Sequence, residues 1–147
     1  MLKNMLIRDW MSSPVATVTP ETAIGTAHQT MKQKSIRRLA VIENDALVGI
    51  ITIGDVREAS PSDANTLSIW ELNYLWAQLT VEKVMTRQVM TLKTDDEMTD
   101  AAKIMLDNKI SGIPIVNDQK QPVGMVTEAD VFRMVVQLAD RVDMPGN

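Results

Sequence analysis

Two stretches of this chain spell nearly the same thing. Gly49 to Arg57 reads GIITIGDVR, and Gly124 to Arg133 reads GMVTEADVFR. Each runs as Gly, then three residues led by apolar ones and closing on Thr, then two residues, then Asp-Val. The physical reading is a short buried strand that ends on Thr and enters a helix bearing Asp. The surroundings keep register as well. At an offset of 74 positions, Met11 falls on Met85, Val15 on Val89, Thr17 on Thr91, Ala27 on Ala101, Met31 on Met105 and Ile36 on Ile110. One extra residue in the second copy's turn then puts Val48, Gly49, Thr52, Asp55 and Val56 onto Val123, Gly124, Thr127, Asp130 and Val131. An internal duplication therefore governs what the chain can fold into.

The chain of 147 residues is long enough for one compact domain, so the two copies are expected to share a core or a large interface. Nineteen acidic against fifteen basic residues give a formal charge of -4. There is no basic tail, and nucleic acid, which usually needs a clustered basic footprint, is not expected as a partner, while a local anion site stays open. There is no cysteine, which removes disulfides, thiolate catalysis and thiolate-held zinc. The apolar runs fall well short of the roughly 20 residues that cross a bilayer, and the first residues lack a signal pattern. A soluble cytoplasmic protein with no membrane partner is the expectation.

Read in order, each copy gives strand, helix, strand, turn, strand, helix. In the first, residues 6–60, an arm reaches Pro14, Val15 to Val18 form an edge strand, and Thr19-Pro20 cap a helix whose stripe is Ile24, Ala27 and Met31. Leu39 to Ile42 lack alternation and form a strand buried on both faces. Gly49 interrupts the next strand where a backbone or a ligand approaches closely. The connector, 61–83, holds Ile69, Trp70, Leu72, Tyr74, Leu75, Trp76 and Leu79, an amphipathic aromatic helix that either covers the core or packs against a second subunit. In the second copy, 84–140, Val89 to Leu92 repeat the edge strand and Thr94 with Glu97 make a capping-box pattern. Pro114 stands at the start or edge of the buried strand.

The two Thr-x-x-Asp turns have two readings from the residues alone. Thr with Asp three positions on is a completed helix cap. It also sets an ionised acceptor, suited to hydroxyl donors, beside a helix start whose free N–H groups suit phosphate.

This order of elements, with Gly-x-x-Thr-x-x-Asp closing each copy, resembles the tandem CBS-domain pair, or Bateman module, over residues 6–139. The connector further looks like that of small stand-alone CBS-pair proteins of the acetoin-utilisation AcuB type. The resemblance implies an α/β (α+β) fold of two pseudo-symmetric β-α-β-β-α units packed sheet to sheet, assembled as a homodimer. It implies a regulatory module whose clefts between the units bind AMP, ADP, ATP or a related adenosyl compound and so control an attached or partner protein. By the same resemblance, Asp55 and Asp130 hold ribose hydroxyls while Thr52 and Thr127 face phosphate. An adenine slot is implied along Val15, Ala16, Ile36 and Ile51 in one unit and Val89, Met90, Ile110 and Val126 in the other. Each of these positions is also an ordinary core position. Arg37 and Arg38, which stand where the second copy has Ser111-Gly112, and Arg133 and Arg57, which follow the two Asp residues, are candidate phosphate contacts. Ala40 stands where the second copy keeps Pro114, and Gln88 where the first keeps Pro14, so the two clefts are expected to be inequivalent.

Nothing points to catalysis. His28, the single histidine, lies on a predicted helix without a partner motif, and no Walker loop, GxGxxG or metal-loop spacing occurs. No metal or resident cofactor is expected. The alternative to a nucleotide sensor is a structural or interaction dimer whose clefts are vestigial.

Overall fold

The computed structural model describes residues 4–59, 74 and 76–142. The chain forms two compact units, one of Ala16–Val89 and one of Met1–Val15 with Met90–Asn147. The repeats of the sequence and the units in space thus differ in one respect. The arm preceding each repeat belongs to the unit built around the other.

The first unit holds β1 (Thr17–Val18), α1 (Ile24–Lys34), β2 (Arg38–Glu43), β3 (Ala46–Thr52) and α2 (Ile53–Ala59), closed by a 3-10 turn at Val81–Lys83. Its sheet runs β1-β2-β3, parallel between β1 and β2 and antiparallel between β2 and β3. The second holds a 3-10 turn at Ile7–Asp9, α3 (Met98–Asn108), β4 (Gly112–Val116), β5 (Pro122–Thr127) and α4 (Glu128–Val142). Its sheet is the antiparallel pair β4-β5.

The stripes expected from sequence are the cores. Ile24, Ala27 and Met31 of α1 pack with Leu39, Val41, Ile51, Val56, Val81 and Met85. Met98, Ala101 and Met105 of α3 pack with Ile113, Ile115, Val126 and Met134, and with Ile7 and Trp10 of the arm. Each fully buried side chain of this size contributes about 1.5–3 kcal/mol relative to exposure. Helices α1 and α3 end alike, on a residue in the left-handed region, Ser35 at φ 53 and Lys109 at φ 55.

The straps that close the two units are also copies. The Thr86 N–H donates to the Ile50 carbonyl at 2.9 Å while the Thr86 carbonyl accepts the Ile50 N–H at 3.0 Å, and Ser12 exchanges the same pair with Met125 at 2.9 and 3.0 Å. This explains the strand glycines. A Cβ on Gly49 would stand 2.8 Å from the Thr86 carbonyl oxygen and 2.8 Å from Met85 Sδ, and one on Gly124 would meet Met11 Sδ and the Ser12 carbonyl oxygen. The close approach expected at Gly49 is therefore by the strap's backbone.

The helix starts differ from expectation. Thr19-Pro20 do not cap α1, because Thr22 Oγ1 accepts the Thr19 N–H at 3.2 Å and makes a turn there. The cap residue is Ala23, and the Ile24 N–H is satisfied by the Leu79 carbonyl at 3.0 Å. In the second copy Asp96 takes the Lys93 N–H at 2.7 Å, and the Met98 N–H reaches the Met5 carbonyl at 2.7 Å. The capping box there is Glu97 with Asp100, three residues beyond the expected Thr94 with Glu97.

The edge strands diverge for a covalent reason. Ala40 N–H donates to the Ala16 carbonyl at 3.1 Å and holds β1 in the sheet. Pro114 occupies the matching place and has no N–H to give. The second edge is accordingly reduced to a single parallel bridge, Leu92 with Ile115, and Met90 is exposed. Pro114 sits inside β4 rather than at its start, but on that weakly paired side.

Of the connector helix, Tyr74 is exposed and Trp76 is half-buried against the first unit's core. Ile69, Trp70, Leu72 and Leu75 lie outside the described residues.

Candidate functional site

Each Thr-x-x-Asp sequence forms a mouth where a strand meets a helix. In the first unit β3 ends on Thr52 and α2 begins at once. Thr52 N–H donates to Asp55 Oδ2 at 2.9 Å, and Asp55 N–H donates to Thr52 Oγ1 at 3.1 Å. The Ile53 N–H goes to the Arg37 carbonyl at 2.7 Å. These bonds lock the carboxylate's rotamer without consuming it. Among the described residues, Oδ1 of the half-buried Asp55 accepts from no protein donor, and vicinal hydroxyls are suitable donors for it. Because α2 is short, with seven residues, the chemistry of this mouth rests on the carboxylate and hydroxyl rather than on a helix dipole.

The register brings the Arg37-Arg38 pair to this mouth. Arg38 lies opposite Thr52 in the ladder, and Arg37, adjacent, is exposed. In the second unit Gly112 lies opposite Thr127, and the Ser111 carbonyl accepts the Glu128 N–H at 3.1 Å. The backbone is the same and the cations are missing.

The second mouth carries its cation on the helix instead. Asp130 is 3% exposed, the one buried charged residue among those described. Its Oδ2 accepts the Thr127 N–H at 2.8 Å and the Thr127 hydroxyl at 3.3 Å. Its Oδ1 pairs with Arg133 Nη2 at 3.0 Å. The same nitrogen donates to the Trp10 carbonyl at 2.8 Å, and the guanidinium carbon lies 5.9 Å from the centre of the Trp10 ring. In the first copy the helix position matching Arg133 is Glu58, and the arm position matching Trp10 is Val84.

Of the apolar positions expected to form the adenine slot, Ile51 and Val126 are fully buried in the two cores. Ala16 and Ile36 are half-buried against the first core, and Ile110 against the second. Val15 falls in the unit of the second copy and Val89 in that of the first, both half-buried, because each belongs to an exchanged arm. Arg57 is exposed. Two grooves are present, one away from the mouths and one beside the second. One of about 710 Å³ runs over α1 and Trp76, where His28 meets the Trp76 ring at 5.8 Å, and it contains neither Thr52 nor Asp55. The other, of about 450 Å³, borders Trp10 and Arg133. The bonds of Arg133 to Trp10 were not readable in advance; the signal available was the Glu58 to Arg133 difference between two otherwise matched turns.

The architecture defines a duplicated α/β module with one Thr-x-x-Asp mouth per copy. The chain belongs to the CBS domain family, which matches it twice, at residues 7–62 and 81–137. The CBS domain pair of protein MJ0100, solved in complex with 5'-methylthioadenosine and S-adenosyl-L-methionine, is 30% identical, with a TM-score of 0.76 over 91% of this chain and 98% of that one. An uncharacterised protein of Methanocaldococcus jannaschii, MJ1225, is 30% identical over 89% of this chain, and the match spans 47% of that relative's length. A homoserine O-acetyltransferase of Methanococcoides burtonii is also 30% identical, over 91% of this chain and 25% of its own. The chain thus spans half or less of these curated relatives. The acetoin utilization protein AcuB from Vibrio cholerae shares the fold, at 21% identity and a TM-score of 0.76 over 96% of this chain and 98% of that one.

Among the described residues, no group of three or more His, Cys, Asp or Glu could hold a metal ion, and no helix is long and apolar enough to cross a membrane.

Proposed function

We propose that this chain is a regulatory module that binds an adenosyl compound and does not catalyse a reaction on it. The observation that carries the reading is the first mouth, where Asp55 is fixed by the Thr52 N–H and keeps one oxygen uncommitted among the described residues. Such a carboxylate suits the 2'- and 3'-hydroxyls of a ribose, and Arg37 and Arg38, the latter opposite Thr52, are the residues proposed to meet a phosphate or other anionic tail. The CBS pair of MJ0100, with its two adenosyl ligands, supports this ligand class. Val15, Ala16, Ile36, Val89, Met90 and Ile110 are the positions proposed to border the base. Occupancy would act on an attached or separate cytoplasmic partner protein by favouring one conformation over another.

Assembly as a homodimer belongs to the same proposal. The inward stripe of α4 contains Met134 and Leu138, yet Phe132, Val135 and Val136 on its outer side are 65%, 52% and 58% exposed. A helix apolar on both sides is suited to cover on both sides, and a second copy is the occupant proposed here.

Isothermal titration with 5'-methylthioadenosine, S-adenosyl-L-methionine, AMP and ATP tests the ligand reading. Losing hydrogen bonds to a charged acceptor costs about 1.5–3 kcal/mol, so Asp55→Asn should weaken binding roughly 10- to 150-fold. Failure of all four compounds to bind would leave only an interaction dimer with vestigial mouths.

A further inference from the structure

The two mouths share a backbone but differ in how their carboxylates are occupied. We infer that Arg133 is an internal occupant of the second mouth, so that a ribose fills the Asp55 mouth first and reaches Asp130 only when Arg133 swings away. This rests on the adenosyl-binding reading above and names the residue that orders the two sites.

A carboxylate offers about four acceptor positions. At Asp130 three are taken, two by Thr127 and one by Arg133, and the residue is 97% shielded, being 3% exposed. At Asp55 the Thr52 hydroxyl oxygen accepts from the Asp55 N–H, so the carboxylate keeps more of its capacity. No cation occupies the helix position three residues on, where Glu58 stands. The competitor at the second mouth is therefore built into the same helix turn and is always present.

Its displacement has a second effect. Arg133 Nη2 ties Asp130 to the Trp10 carbonyl, and the guanidinium lies over the indole ring. The Arg133 side chain is 49% exposed and borders the 450 Å³ groove with Asn4, Asp9 and Gln137, so space for an alternative rotamer exists beside it. A ligand that takes Asp130 thereby releases the arm that straps the second unit. The first unit has Val84 at the position of Trp10 and no such tie.

The test compares wild type, Arg133→Met, Asp55→Asn and Asp130→Asn by titration with 5'-methylthioadenosine, AMP and S-adenosyl-L-methionine. It is combined with hydrogen exchange of the Met11 and Ser12 amides without added ligand. The expected results are a tighter site lost in Asp55→Asn and a weaker site strengthened at least tenfold in Arg133→Met. Exchange at Met11 and Ser12 should also be faster in Arg133→Met. An unchanged weaker site in Arg133→Met, loss of the tighter site in Asp130→Asn rather than Asp55→Asn, or unchanged arm protection overturns the inference while leaving adenosyl binding in place. If neither wild type nor Arg133→Met binds any of the three compounds, the functional reading falls and the filling order falls with it. Should Arg133→Met fail to fold, Arg133→Gln is used, with the same results expected and the same results overturning it.

Discussion

Replacing Gly49 by alanine tests the strap directly. Neither strand glycine has a positive φ, so alanine is allowed by the backbone and any cost is steric. The added carbon at Gly49 would stand 2.8 Å from the Thr86 carbonyl oxygen, an atom fixed by the bond it accepts from the Ile50 N–H at 3.0 Å. Relief requires the strap to back away, weakening two backbone bonds worth about 1 kcal/mol each net. Overpacking against the buried Met85 adds about 1–3 kcal/mol, for a total of about 3–5 kcal/mol. At Gly124 the nearest atom is the flexible Met11 Sδ, and the Ser12 carbonyl oxygen is 3.0 Å away, so a few tenths of an ångström suffice. That substitution should cost about 1 kcal/mol, at the low end of overpacking. Gly25 in α1 has nothing within 4 Å of an added Cβ and serves as the control; alanine there should stabilise by up to about 1 kcal/mol. Urea unfolding followed by tryptophan fluorescence measures all three. A Gly49→Ala protein as stable as wild type, or a Gly124→Ala protein that is the worse of the two, would refute the reasoning.

Two further outcomes follow from the mouths and from the surface. Asp130→Ala should lower stability by about 2 kcal/mol, since it strands the Thr127 N–H and removes the pair with Arg133, whereas Asp55→Ala loses one bond and about 1 kcal/mol; equal costs in denaturant titration would count against the inequality of the two turns. Lys93 holds the Asp118 carboxyl below its usual range through a hydrogen bond and charge attraction. That contribution is present at neutral pH and is lost as pH falls through the lowered Asp118 value. Both groups are exposed, so salt should screen it, and a thermal-melt profile against pH that is identical in Lys93→Met and wild type at low salt would show that the pair contributes nothing.

Much of the fold was legible because the duplication doubles every signal. The stripe Ile24, Ala27 and Met31 is weak alone, but its echo in Met98, Ala101 and Met105 fixes both helices. Caps were less legible. Thr19 and Thr94 look like N-caps, yet Thr22 and Asp96, each three positions beyond the residue it binds, turn back onto Thr19 and Lys93 and delay each helix. The shrinkage of the second edge strand was written in Pro114, but only the geometry shows that the Ala40 N–H it replaces points to the edge. At the mouths, Thr and Asp were visible in sequence. Their mutual bonds were legible as a cap, but the tie from Arg133 to Trp10 was not, because it spans most of the chain and no local pattern encodes it.

The exchanged arms make the repeat a poor place to divide this molecule. A fragment containing only the first copy would carry Met11 and Ser12, which belong over Gly124, and would lack Met85 and Thr86, which belong over Gly49. Two such fragments could satisfy one another only by lending their straps mutually, as partners in a swapped pair. Equally, a protease nick in the connector need not release the halves, since each would still hold a piece that the other cannot supply for itself.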